Sequence, residues 1–147
     1  MIAQLSLATA MALVTVSVHL FGLAVLIRFL RTHQRLLVRL RLGPMSLLLG
    51  AAVGLVVIHT VEIWLYAGLY LVLKAASTFE SALYFSTVTY ATIGYGDVLI
   101  DKSWRILGAI EGAIGVIMLG WSTAFLISLL AQLKLLSHDW LGADLAE

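Results

Sequence analysis

"TYATIGYGDV", Thr89 to Val98, sets two glycines, a tyrosine and an aspartate side by side in a chain otherwise built from long apolar runs. On its own the stretch supports three readings: a surface turn between strands, a helix-capping loop, or a backbone surface shaped to touch something small. The segments on either side decide between them.

The chain has 147 residues, 62% of them apolar, and a single proline. Its mean hydropathy is +1.06. Such a composition excludes disorder, and a soluble domain of this size would leave much apolar surface in water. Cysteine is absent, which excludes disulfide frameworks and thiolate metal sites. The formal net charge of +1 argues against nucleic acid as a partner.

Three apolar runs reach the ~20 residues that a helix needs to cross a bilayer. They cover roughly Leu5 to Leu30, Met45 to Leu73 and Trp104 to Leu136. The first has no basic start, is too long for a signal peptide and lacks a small-residue cleavage pattern, so it reads as a retained helix. Arg28, Arg31, Arg35, Arg39 and Arg41, five of the nine Lys and Arg residues, fall in the link after it. Cytoplasmic loops concentrate basic residues, so this link is predicted to be cytoplasmic and the N-terminus outside. The segment from Lys74 to Ser103 then enters from the outer face.

Within that segment, Thr78 to Ala91 ("TFESALYFSTVTYA") is moderately apolar and too short to cross, the pattern of a re-entrant or interfacial helix. Ser77 or Thr78 can cap its start and Glu80 suits the positive end of its dipole, while Gly94 and Gly96 stop any continuation. Irregular backbone at membrane depth is tolerated only where it is buried in protein or lines a watery cavity. A plain surface turn therefore survives only if the whole segment stays outside the bilayer.

"TIGYGD", Thr92 to Asp97, resembles the selectivity-filter signature of potassium channels, whose loops hold a T-V-G-Y-G core, with Ile93 in place of valine. The setting resembles it too, from about Met45 to Leu136: outward helix, short helix, filter, inward helix. The chain is similar to bacterial members of the potassium-channel pore-domain superfamily with one extra N-terminal helix. That resemblance implies an all-α membrane protein with three transmembrane helices, a re-entrant pore helix and a filter loop, assembled as a fourfold homotetramer. It implies K+ as the transported ion, bound by the backbone carbonyls of Thr92, Ile93, Gly94 and Tyr95 with Gly96 completing the filter, and no enzymatic activity. It implies pore-domain boundaries of 45–136, after an extra helix and basic linker over 1–44 and before a short cytoplasmic tail over 137–147. Alternating backbone twist aims such carbonyls at one axis, and Gly94 and Gly96 can take left-handed conformations without a Cβ clash.

Many relatives carry two tryptophans in the pore helix; here Tyr84 and Phe85 stand there. By alignment Tyr84 reaches the Asp97 carboxylate behind the filter and Phe85 packs near Tyr95; an interfacial aromatic belt is the alternative for Tyr84. Where some relatives have a glutamate four residues before the filter threonine, this chain has Val88. In the third span the resemblance puts Gly115 or Gly120 near the gating hinge and Val116, Leu119, Thr123 and Ile127 along the inner cavity. Glu111, about 10 Å inside that span, lies off the cavity stripe and is predicted to face the pore helix, bonded by Ser86 or Thr89, as structural support rather than as part of the conduction path.

His59 and Glu62 lie one turn apart in the second span and His19 lies mid-span in the first, which predicts a polar seam joining the two helices. The sharper alternatives are a role beneath the filter, with Glu62 near Glu111, and pH sensing. Arg28, Arg31, Arg35 and Arg39 share a helix face; topogenic anchoring with anionic-lipid contact is preferred to voltage sensing, because the apolar fill of a sensor is missing. The pairs Gly50–Gly54 and Gly108–Gly112 have the spacing of close helix packing. The expected function is potassium-selective conduction in a bacterial inner membrane, with a weakly selective cation channel and a non-conducting membrane scaffold as rivals.

Overall fold

The computed structural model describes residues 2–39 and 43–133, with side chains described outside 34–44. The described residues form four α-helices, α1 (Ile2–Arg39), α2 (Gly43–Val72), α3 (Phe79–Tyr90) and α4 (Arg105–Gln132), the last preceded by a 3-10 turn at Lys102–Trp104. No strand occurs among the described residues. Helices α1, α2 and α4 contain the three stretches long and apolar enough to span a membrane, Ile2–His33, Met45–Val72 and Lys102–Gln132. With 12 residues, α3 is only about 18 Å long, short of a ~30 Å hydrocarbon core.

Helix α1 runs further than the apolar run that predicts it. It continues to Arg39, so Arg28, Arg31, Arg35 and Arg39 stand on its last turns rather than in a loop. Helix α2 ends in a left-handed cap, with Lys74 at φ 53°. There the Lys74 N–H donates to the Leu71 carbonyl and the Ala75 N–H to the Tyr70 carbonyl, the paired bonds of a Schellman motif. The Asp101 N–H donates to the Ala75 carbonyl at 2.9 Å, pinning the chain that returns towards α4 against the end of α2. Asp101 in turn caps the 3-10 turn by accepting from the Ser103 N–H at 2.8 Å, a bond that holds its carboxyl below the usual range.

Helix α1 packs on α2 and α4, and α3 packs between α2 and α4. Two apolar clusters result. One joins Ala8, Tyr66, Ala67, Tyr70, Ala82 and Leu107 near α3. The other joins Leu23, Leu26, Leu30, Leu47, Ala51, Leu55 and Ile58 at the arginine end. Gly50 and Gly54 of α2 face Leu30 and Leu26 of α1, while Gly108 and Gly112 of α4 face Phe85 and Thr89 of α3. Between 17% and 28% of the most apolar stretch of each span is buried within the chain. Large side chains such as Phe21, Val25, Phe29, Val56 and Val57 are exposed, so their cost in water is removed only by lipid or by another protein surface.

Candidate functional site

Helix α3 delivers the TIGYGD loop. Thr78 caps its start, its Oγ1 accepting from the Ser81 N–H at 3.1 Å, with Glu80 in the first turn. At the other end the Val88 carbonyl accepts from both Ile93 N–H (2.8 Å) and Gly94 N–H (3.0 Å), which folds the loop back against the last turn. Thr92, Gly94 and Gly96 then have φ of 60°, 56° and 77°, with Ile93 and Tyr95 between them outside the left-handed region. Glycine occupies that region without strain. Thr92 is β-branched, for which positive φ is a true outlier, and composition gave no sign of it. Such strain is held only where the surroundings over-determine it, and it clusters at functional sites. Ile93 is 51% and Tyr95 71% exposed in the single chain.

Behind the loop the Tyr84 hydroxyl donates to Asp97 Oδ2 at 2.8 Å, and this bond raises the phenol above its ordinary range. Phe85 does not pair with Tyr95. Its ring meets Tyr70 edge-on, with centroids 5.4 Å apart and planes at 83°, and covers Gly108 of α4. The missing side chain at position 108 opens the space that draws the ring inward. Tyr84→Phe removes the hydrogen bond that ties α3 to the loop. The expected result is unchanged helix content with faster proteolysis of the 92–98 loop; equal cleavage rates would show that the tie does not hold the loop.

Glu111 is fully buried and faces α3. The Tyr70 hydroxyl donates to its Oε2, and Ser86 Oγ lies 2.5 Å from its Oε1 and 2.9 Å from the Ile63 carbonyl, so the single serine hydrogen serves one of the two. Ser86 thus appears in the sequence reading, whereas Tyr70 does not, because nothing local marks which tyrosine of α2 faces α4. Thr89 contacts Gly112 instead.

The polar seam reaches further than the α1–α2 pair that spacing suggests. His19 Nδ1 lies 3.0 Å from Glu62 Oε1, and His59 Nδ1 lies 3.0 Å from Glu62 Oε2. Tyr90, the last residue of α3, donates to Glu62 Oε2, and its hydroxyl lies 3.0 Å from His59 Nδ1. His59 Nε2 lies 2.9 Å from Ser122 Oγ of α4. All four helices therefore meet in one layer between the two apolar clusters. Glu62 and Glu111 have separate sets of partners.

Along α4, Val116, Leu119, Gly120, Thr123 and Ile127 are all exposed. Gly115 departs from that group. It is buried, and a Cβ there would lie 2.2 Å from the Tyr90 carbonyl oxygen, so it is a point of close backbone approach to α3. Gly120 has open space around it, and α4 continues unbroken through both positions.

Residues 56–132, just over half of the chain, match the model of a protein family described as ion channel. The chain belongs to the ion-channel family. The match starts within α2, takes in α3 and the TIGYGD loop, and ends at the last residue of α4, leaving α1 outside it. No curated protein and no solved structure matches the chain. Membership in the ion-channel family agrees with three membrane-spanning helices, and the resemblance to the potassium-channel pore-domain superfamily stands on the same match. The family is one of ion channels and not of enzymes. In this ion-channel chain Arg28 and Arg31 are exposed on α1. The side chains of Arg35 and Arg39, Arg41 as a whole and the expected tail over 137–147 lie outside the described residues.

Proposed function

We propose that the protein conducts potassium ions passively and selectively across a membrane through a filter built from four copies of Thr92 to Gly96. The observation that carries this reading is the left-handed backbone at Thr92, Gly94 and Gly96, every second residue of TIGYGD, directly after α3 in a chain of the ion-channel family. A bare cation must exchange its hydration shell for other oxygens, and the carbonyls of Thr92, Ile93, Gly94 and Tyr95 supply them, with the Thr92 hydroxyl as a further ring. One chain offers one such segment, so a ring requires a cyclic homotetramer. The exposure of Ile93, Tyr95 and the Val116–Leu119–Thr123–Ile127 face supports this, since neighbouring copies and a central cavity account for surfaces that a lone chain leaves open.

Asp97 and Tyr84 brace the filter from behind, Phe85 packs α3 onto Tyr70 of α2 and Gly108 of α4, and Glu111 ties α4 to α3. The partly negative C-terminal end of α3 favours a dehydrating cation in the cavity. The basic residues at the end of α1 support an orientation with that end in the cytoplasm, the N-terminus outside and the C-terminus inside, with Arg28, Arg31, Arg35 and Arg39 as the candidates for contact with anionic lipid; a bacterial inner membrane is the proposed location. Bi-ionic recordings in planar bilayers test the reading. Replacing potassium by sodium on one side should move the reversal potential by more than about 59 mV, the monovalent slope for a tenfold preference. A shift near zero would identify a weakly selective cation channel, and absence of current from a monomer or dimer would identify a scaffold.

A further inference from the structure

The seam at the centre of the bundle holds more donor atoms than a hydrogen-bonded joint between helices requires. His19 comes from α1, His59 and Glu62 from α2, and Tyr90 from the end of α3, and the side chains of His19 and Glu62 are fully buried. One donor atom from each of His19, His59 and Glu62 lies within 4.8 Å of the others. His59 Nδ1, Glu62 Oε2 and the Tyr90 hydroxyl form a closed triangle, with His59 Nδ1 3.0 Å from each of the other two. One imidazole hydrogen and one phenol hydrogen cannot make three near-linear bonds around such a triangle, because hydrogen bonds weaken steeply away from linearity. A tetrahedral ion with bonds of about 2.0–2.1 Å sets its ligand atoms roughly 3.3 Å apart, so His59 Nδ1 already stands close to the required separation from Glu62 Oε2 and Tyr90, and rotation of the carboxylate and of the His19 ring brings the remaining donors to it.

We propose that His19, His59, Glu62 and Tyr90 form a binding site for a divalent transition-metal ion of the zinc class. Two imidazole nitrogens beside a carboxylate and a phenol oxygen suit such an ion better than magnesium or calcium, which take all-oxygen shells. The outer shell is present as well. Ser122 Oγ, 2.9 Å from His59 Nε2, accepts from that nitrogen when the metal occupies Nδ1, which fixes ring orientation and tautomer. The His19 ring is held by its neighbours, with centroids 5.4 Å from His59 and 5.8 Å from Trp121. His19 Nε2 has no hydrogen-bond partner among the described residues, so Nδ1 is its one polar tie to the bundle. A bound ion would staple α1, the helix outside the matched family region, to the residue that ends α3, two positions before Thr92. This inference stands apart from potassium selectivity, which the bilayer recordings test separately.

Cobalt titration of the chelator-washed, full-length protein in detergent tests it. The expected result is the intense visible absorption of tetrahedral cobalt, saturating at one ion per chain and removed by zinc. His19→Ala and His59→Ala should each weaken binding at least tenfold, and a variant with both His33→Ala and His138→Ala, the two remaining histidines, should keep the band. That double variant keeps the test decisive even if His19→Ala or His59→Ala fails to fold. No tetrahedral band in the folded wild-type protein, its loss with His33 and His138, or unchanged affinity in folded His19→Ala and His59→Ala would overturn the proposal and leave the cluster a hydrogen-bonded seam.

Discussion

Gly115→Ala should destabilise the protein more than any other single methyl addition among its helical glycines. The new Cβ would lie 2.2 Å from the Tyr90 carbonyl oxygen, 2.9 Å from its carbonyl carbon and 3.1 Å from its Cα. Contacts of carbon with heavy atoms are most favourable near roughly 3.5 Å, so the overlap exceeds 1 Å. The obstacle is backbone, and it belongs to a residue whose hydroxyl is committed to Glu62 and His59. Neither side yields without moving a helix. Overpacking ordinarily costs about 1–3 kcal/mol, and this site should reach or pass the upper end. Gly54, whose added Cβ would meet Leu26 at 2.4 Å, is a milder case because the tip of a leucine can turn away. Gly120→Ala provides the control. Its Cβ meets nothing within 4 Å in the chain, and replacing a helical glycine by alanine is favourable by about 1 kcal/mol. Thermal unfolding in detergent should therefore show the two variants moving in opposite directions. A wild-type melting temperature for Gly115→Ala would mean that α3 and α4 do not approach as described.

Gly94→Ala should abolish conduction while leaving the helices intact. Gly94 has φ 56°, and its Cβ position is open within the chain, so the penalty is conformational and not steric crowding. An L-residue in the left-handed region costs about 1–2 kcal/mol. In the proposed ring that cost is incurred four times in one filter, while Thr92 beside it already bears strain at φ 60°. The least costly relief is rotation of the 93–95 backbone out of its alternation, which turns carbonyl oxygens away from the axis. Circular dichroism should be unchanged and potassium flux into vesicles should be lost. Selective flux that survives at the wild-type rate would show that left-handed geometry at this position is not what the ion requires.

The elements of this fold are legible because a bilayer imposes long apolar runs, and length alone separates α1, α2 and α4 from α3. The loop was legible for a different reason: alternating glycines mark backbone that must turn left, and Gly94 and Gly96 do. The inward-facing polar residues were legible one by one, since an ionisable group in a span needs a partner. Their partners were harder to read. Glu111 with Ser86 follows from depth and facing, whereas Tyr70, and Tyr90 and Ser122 in the Glu62 layer, follow only from how helices rotate against one another. The neighbours of Phe85 and Gly115 went unread for the same reason: helical period gives a residue its face but does not say which neighbour covers that face.

The amino-acid sequence by itself determined the membrane spans, the short helix, the glycine-punctuated loop and the excess of positive charge at one end, because these depend on local hydropathy and backbone sterics. Only the tertiary structure decided that α1, α2, α3 and α4 converge on Glu62, that Thr92 shares the left-handed conformation of the glycines, and that Gly115 is a contact point with the α3 backbone. These outcomes depend on the relative rotation and depth of helices far apart in the chain, which packing sets and no local pattern encodes.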